Sequence, residues 1–183
     1  TTSTSSNNQL MRVLLIFMDG IGLGENNPET NPFSVANLPT LYQLTNTNRW
    51  LKITGTQQTP RSLFVPTDPR LGVDGRPQSA TGQATIFSGV NVPDKIGRHY
   101  GPKPNADIRN ILDQHNIFKS LANHNKTFAL LEAYPPEWHA SVARGKRLLA
   151  SYQYAVASAG GKLMSQADLI AGNAISGDWT GQA

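Results

Sequence analysis

The sequence has no cysteine among its 183 residues. That removes disulfides, thiolate metal sites and a thiol nucleophile, and says little about compartment. Charge is sparse as well. Only 15% of residues are Asp, Glu, Lys or Arg, against roughly 25% in soluble domains, and Asn, Gln, Ser and Thr fill the gap. No apolar stretch approaches the roughly 20 residues that span a bilayer. Residues 1–10 lack the basic start and apolar core of a secretory signal. No membrane partner is therefore expected, and the cytoplasm is the default compartment. An excess of one charge is missing too: 16 basic against 12 acidic residues leave +4. Basic residues do not run together with interleaved aromatics, so nucleic acid is not an expected partner. The densest basic cluster, Arg144, Lys146 and Arg147, reads as a solvated helix face or, more sharply, as a contact for an anion such as phosphate.

What is present is an ordinary globular composition, 38% hydrophobic. The length suits one domain, or one domain with a small insertion, and can bury a sizeable core. Residues 1–10, rich in Thr, Ser and Asn, read as a disordered or foreign leader ahead of Met11-Arg12. The unbroken apolar run Arg12-Val-Leu-Leu-Ile-Phe-Met18 predicts a strand buried on both faces. A Gly/Pro loop follows, Ile21 to Pro32. Val35, Leu38, Leu41 and Leu44 mark a helical stripe, with Pro39 in its first turn or dividing it. A strand is expected near Leu63-Phe64-Val65. A helix is expected from Ser79, ending near Gly89. Further helices are expected at about 107–124, 137–160 and 165–171, with a second apolar strand at Phe128–Leu131. The closing stretch, Ser176 to Ala183, is loop-like. Alternating strands and helices predict an α/β fold with a mainly parallel sheet and helices on both faces.

Two features carry chemistry. Asp19 sits just past the first predicted strand, where sites form in parallel sheets. Its carboxylate suits hard or borderline cations such as Mg, Mn or Zn, although Asp-Gly is also a common turn pair. Ser79 stands at a helix N-terminus after Pro77, where free N–H groups and the helix dipole favour an anion, although Ser is also a common N-cap. The small residues Ala80, Gly82 and Ala84 would let another surface approach closely. Arg98 and His99 lie in a Gly/Pro loop and are candidate substrate contacts. His115, His124 and His139 read as surface or packing residues.

Rival motifs fail on spacing. A P-loop ending at Gly145-Lys146 needs Gly where Ala140 stands. A nucleophile elbow around Ser79 needs Gly in place of Pro77 and Thr81. Gly20-Ile-Gly-Leu-Gly24 lacks the dinucleotide-binding spacing.

In combination, order and spacing the chain resembles the alkaline phosphatase superfamily, nearest the branch of phosphopentomutase and cofactor-independent phosphoglycerate mutase. The resemblance lies in Leu14-Leu-Ile-Phe-Met-Asp19-Gly20, Asn31-Pro-Phe33, Leu38-Pro-Thr-Leu41 and Gln78-Ser-Ala-Thr-Gly-Gln83. It implies that residues 11–105 are the N-terminal part of a catalytic core, incomplete at its C-terminus, and residues 106–183 a truncated inserted cap. It further implies two divalent metal ions (Zn, Mn or Mg), bound by Asp19 and by Ser79 as an alkoxide. A small phosphorylated substrate would pass its phosphoryl group to Ser79. In this chain Gln83 stands where the mutases carry His. The family's other ligands, Asp-x-x-x-His and Asp-His pairs, do not occur. The implied partner is therefore a further C-terminal segment of the same protein. The full-length protein is expected to be a phosphatase, phosphodiesterase or phosphomutase, and this chain alone inactive. The alternative is a non-catalytic relative acting as a binding domain.

Overall fold

The computed structural model describes residues 11–177. The expected leader, residues 1–10, and the end of the chain from Asp178 lie outside them. The chain forms two compact units, Thr1–Pro66 and Thr67–Ala183, so the boundary expected at 105/106 falls inside the second unit.

The first unit is small and irregular. Its helix α1 is Pro39–Gln43, with Pro39 in the first turn, where the missing N–H costs nothing. A separate 3-10 turn, Pro32–Ser34, precedes it. The expected stripe is thus divided, because proline cannot donate within a continuous helix. Strands β1 (Gln57–Thr59) and β2 (Ser62–Phe64) pair antiparallel through a tight turn at Pro60-Arg61. Trp50 stacks between Phe33 and Phe64, with ring centroids at 6.3 and 5.7 Å. Asn31 is buried; its amide donates to Glu25 O (2.8 Å) and its carbonyl accepts from Phe33 N (3.2 Å). A Cβ at Gly24 would lie 2.8 Å from the Asn31 amide nitrogen, so only glycine fits against this brace.

The strand expected at residues 12–18 is not formed, and its side chains are exposed, from 42% at Phe17 to 84% at Val13. Apolarity states what a strand's two faces require. It does not supply the neighbour whose backbone groups must pair with it. Among the described residues no strand pairs with this run.

The second unit is built around α2, Ser79–Ser88. Gln78 is extended and enters the helix; Gly89 closes it in the left-handed region, φ 71°, its N–H bonded to Thr85 O. That conformation favours glycine. Around α2 lie α3 (Val92–Ile96), α4 (Ala106–Gln114), α5 (Ile117–Asn123) and α7 (Ser151–Ser158). Ala80 and Ala84 of α2 pack with Phe87, Val92, Ile108, Leu112 and Ala155 in one apolar cluster. The small residues allow the close approach expected of them, except Gly82, where an added Cβ would meet nothing within 4 Å. The helix expected at 107–124 is broken in two at His115-Asn116. The Asn116 side chain caps α5 by accepting from Phe118 N (2.9 Å) and reaches across to Ala155 O (2.8 Å). That local bond competes with helix continuation.

The second apolar strand is displaced: β3 is Glu132–Tyr134, after the Phe128–Leu131 run. Phe128 instead packs its ring on Phe118 at 5.2 Å. Helix α6 (Pro136–Ala143) and α7 lead to β4 (Met164–Ser165), and α8 (Gln166–Ile170) leads to β5 (Ile175–Ser176). Both strands pair with β3 in parallel, in the order β4-β3-β5. Helical connections are what parallel pairing demands. The fold is therefore α/β as expected, but its parallel sheet is a small three-stranded one and not a large core sheet. Among the described residues no helix is long and apolar enough to cross a membrane.

Leu112 is fully buried in the α2 cluster. Leu112→Ala should cost about 2–5 kcal/mol, through lost burial and a residual cavity. Ile86→Ala, on the exposed side of α2, should change stability by less than about 0.5 kcal/mol. Urea unfolding of both variants checks the contrast, and equal losses would place the core elsewhere.

Candidate functional site

Ser79 is the first residue of α2 and is half-buried. The N-cap is Gln78, whose side chain makes no capping bond. Ser79 is thus not an ordinary N-cap serine, and its hydroxyl makes no hydrogen bond among the described residues. The start of the helix is held by backbone bonds from the loop 97–101. Thr81 N donates to Tyr100 O (3.1 Å), and Tyr100 N donates back to Thr81 Oγ1 (3.3 Å). Gly101 lies flush against this turn. A Cβ there would come within 3.0 Å of the Gln78 side chain and 3.3 Å of Ser79 N, so a glycine is needed for the contact.

Arg98 and His99 belong to that same loop, and both side chains are occupied there. The Arg98 guanidinium lies over the Tyr100 ring, 5.8 Å from its centroid. His99 Nε2 pairs with Val73 O at 3.1 Å, bracing the segment before Ser79. His124 bonds Ser120 O (2.8 Å) and His139 bonds Met164 O (3.1 Å), both backbone contacts. Asp19 is an exposed residue of a turn in the first unit, whereas Ser79 belongs to the second. Among the described residues no group of three or more His, Asp or Glu is placed to hold a metal ion. Asp19 and Ser79 alone do not make up the two-metal set implied by the resemblance, and no step is routed through a metal below.

Most of the polar groups around the start of α7 were not singled out in the sequence. Ser151, the first residue of α7, is fully buried and donates from Oγ to Ala80 O (2.8 Å). That bond sets the N-termini of α2 and α7 side by side, and neither helix carries an acidic residue in its first turn. Next along α7, Tyr152 donates to Glu132 Oε2 (2.6 Å). Tyr134 donates to the same oxygen and lies 3.0 Å from the Tyr152 hydroxyl. Buried Gln153 donates to Tyr134 Oη (2.6 Å) and accepts from Ala150 N (2.8 Å). Trp138 stacks on the Tyr134 ring, with centroids 4.1 Å apart. Lys103, two residues past Gly101, is half-buried. Burial, with Arg147 as a like-charged neighbour, lowers its pKa, and Glu132 opposes the fall. Neither the Lys103 nor the Arg147 side chain makes a hydrogen bond or ion pair among the described residues; the Arg147 N–H donates to Ser141 O (3.2 Å).

Only part of this cluster had a sequence signal. The basic residues of 144–147 were visible as charge, but a carboxylate and a phenol twenty positions apart form no motif. Their partnership comes from β3 and α7 meeting in space.

Burial raises the pKa of both Tyr134 and Tyr152, and their bonds to Glu132 raise them further. The folded state therefore holds these protons above the unfolded pKa of about 10. The stability this represents is full below pH about 10 and is lost as pH rises beyond it, because the unfolded chain ionises first. In a phenolate absorbance titration, Tyr134 and Tyr152 should ionise only as the chain unfolds. Tyr134→Phe with Tyr152→Phe should abolish the late phase. Full titration near pH 10 with intact circular dichroism would contradict the network.

No family model, curated protein or solved structure matches this chain.

Proposed function

We propose that the chain contributes the nucleophile of a metal-dependent phosphoryl-transfer enzyme, a phosphatase, phosphodiesterase or phosphomutase, with Ser79 as the acceptor. One observation carries the reading: a half-buried hydroxyl without a hydrogen bond among the described residues, at the N-terminus of a ten-residue helix. The first turn there is fixed by Tyr100 and Ser151. Helix N-termini stabilise anions by about 0.3–1 kcal/mol or more through their dipole and free N–H groups. Fixing the acceptor before substrate arrives reduces the entropic part of the barrier.

In this reading a phosphate monoester approaches in line. The bond from Ser79 Oγ to phosphorus forms as the ester oxygen departs, and the serine proton leaves with the released alcohol. Water, or a hydroxyl of a second substrate, then takes the phosphoryl group and returns a proton to Ser79. Metal dependence enters through the resemblance alone.

Ser79→Ala in the full-length protein, assayed on an aryl phosphate with Mn²⁺ or Zn²⁺, should lower kcat at least about a thousandfold. Intact turnover would remove Ser79 from the mechanism. Calorimetry with the same ions on the 183-residue chain separates the alternative, a non-catalytic binding domain. Two tightly bound ions support catalysis, and none supports binding alone.

A further inference from the structure

We infer that the loop between α6 and α7 is a cleavage site for an endoprotease that recognises paired basic residues. The cut falls between Arg147 and Leu148, and the two pieces stay folded together.

The recognition element is in the sequence. Lys146-Arg147 is the one adjacent pair of basic residues in the chain, and Arg144 stands two positions before Lys146. In an extended segment Arg144 and Lys146 share one face and Arg147 takes the other. Three cations therefore reach both walls of a protease cleft lined with carboxylates. The fold makes the site reachable. Residues 143–148 are all exposed, with Leu148 at 56%. The side chains of Arg144, Lys146 and Arg147 make no hydrogen bond or ion pair among the described residues, so binding a protease gives up no internal pairing. The backbone is lightly held as well. The N–H groups of residues 144–147 donate to the carbonyls of Ala140, Ser141 and Val142 in the last turn of α6. Gly145, φ 67°, turns the chain away from that helix. Leu148 and Leu149 make no backbone hydrogen bond among the described residues. Fraying one helical turn thus extends the segment without disturbing the core. The flanks hold the pieces together. Past the loop, Ser151 Oγ donates to Ala80 O (2.8 Å), Ala155 O accepts from Asn116 (2.8 Å), and Val156 is buried. Strand β3, before the loop, pairs with β4 and β5, after it. In the cut, water adds to the Arg147 carbonyl carbon and the bond to the Leu148 nitrogen breaks. The products are a carboxylate on Arg147 and an amine on Leu148.

The test incubates the whole 183-residue chain with a paired-basic endoprotease under native conditions and follows cleavage by intact mass. The expected first products are residues 1–147 and 148–183, eluting together at the position of the uncut chain in size exclusion. Lys146→Gln and Arg147→Gln should each slow the cut about tenfold or more, the loss of one charge-assisted contact in the protease cleft. Lys126→Gln, at an exposed lysine outside the pair, should stay within about twofold of wild type. Leu112→Ala, which weakens the core, should also stay within about twofold, because the loop opens by local fraying and not by global unfolding. A chain left uncut, a first cut elsewhere, or an unchanged rate in Arg147→Gln overturns the site. So does a rate that climbs with the loss of core stability in Leu112→Ala, or pieces that separate without denaturant.

Discussion

The second unit depends on how closely other helices can approach α2. Ala80 and Ala84 are fully buried, so α2 meets its neighbours with almost no side chain between backbones. That proximity lets the Ser151 hydroxyl reach the Ala80 carbonyl at 2.8 Å, a bond too short-ranged to survive a larger residue at either place. Everything at the N-terminus of α2 follows: the orientation of Ser79, the seating of the 97–101 loop, and the delivery of Tyr152 to Glu132. Apolar burial provides most of the free energy. The single buried hydrogen bond sets the register, because an unmade bond there would leave the buried Ser151 hydroxyl without a partner.

Around that contact the molecule places polar groups in two distinct states. The Glu132–Tyr134–Tyr152–Gln153 network is satisfied internally and holds the first residues of α7 against β3. Such fully paired networks are rigid. The side chains of Ser79, Lys103 and Arg147, by contrast, make no hydrogen bond or ion pair among the described residues.

Arg98 and His99 are engaged within their own part of the fold. They lie in the Gly/Pro loop after α2, which made them candidate substrate contacts. In the structure His99 spends its Nε2 on Val73 O, and Arg98 lies over Tyr100. Their contribution is to shape the loop that fixes the start of α2.

Local rules read from the sequence alone were enough for the helix opening at Ser79 and closing at Gly89, and for the α/β class, while Pro39 was left either in the first turn of its helix or dividing it. These are decided by a few neighbouring residues: a left-handed glycine, a missing N–H, the spacing of apolar side chains. Strands were not decided that way. Residues 12–18 have the composition of a buried strand and remain unpaired, while Glu132–Tyr134, far less apolar, becomes the centre of the parallel sheet. A strand exists only where another backbone offers hydrogen bonds, and a charge cluster only where distant segments converge. Both are properties of the folded chain in three dimensions, so tertiary structure alone settled them.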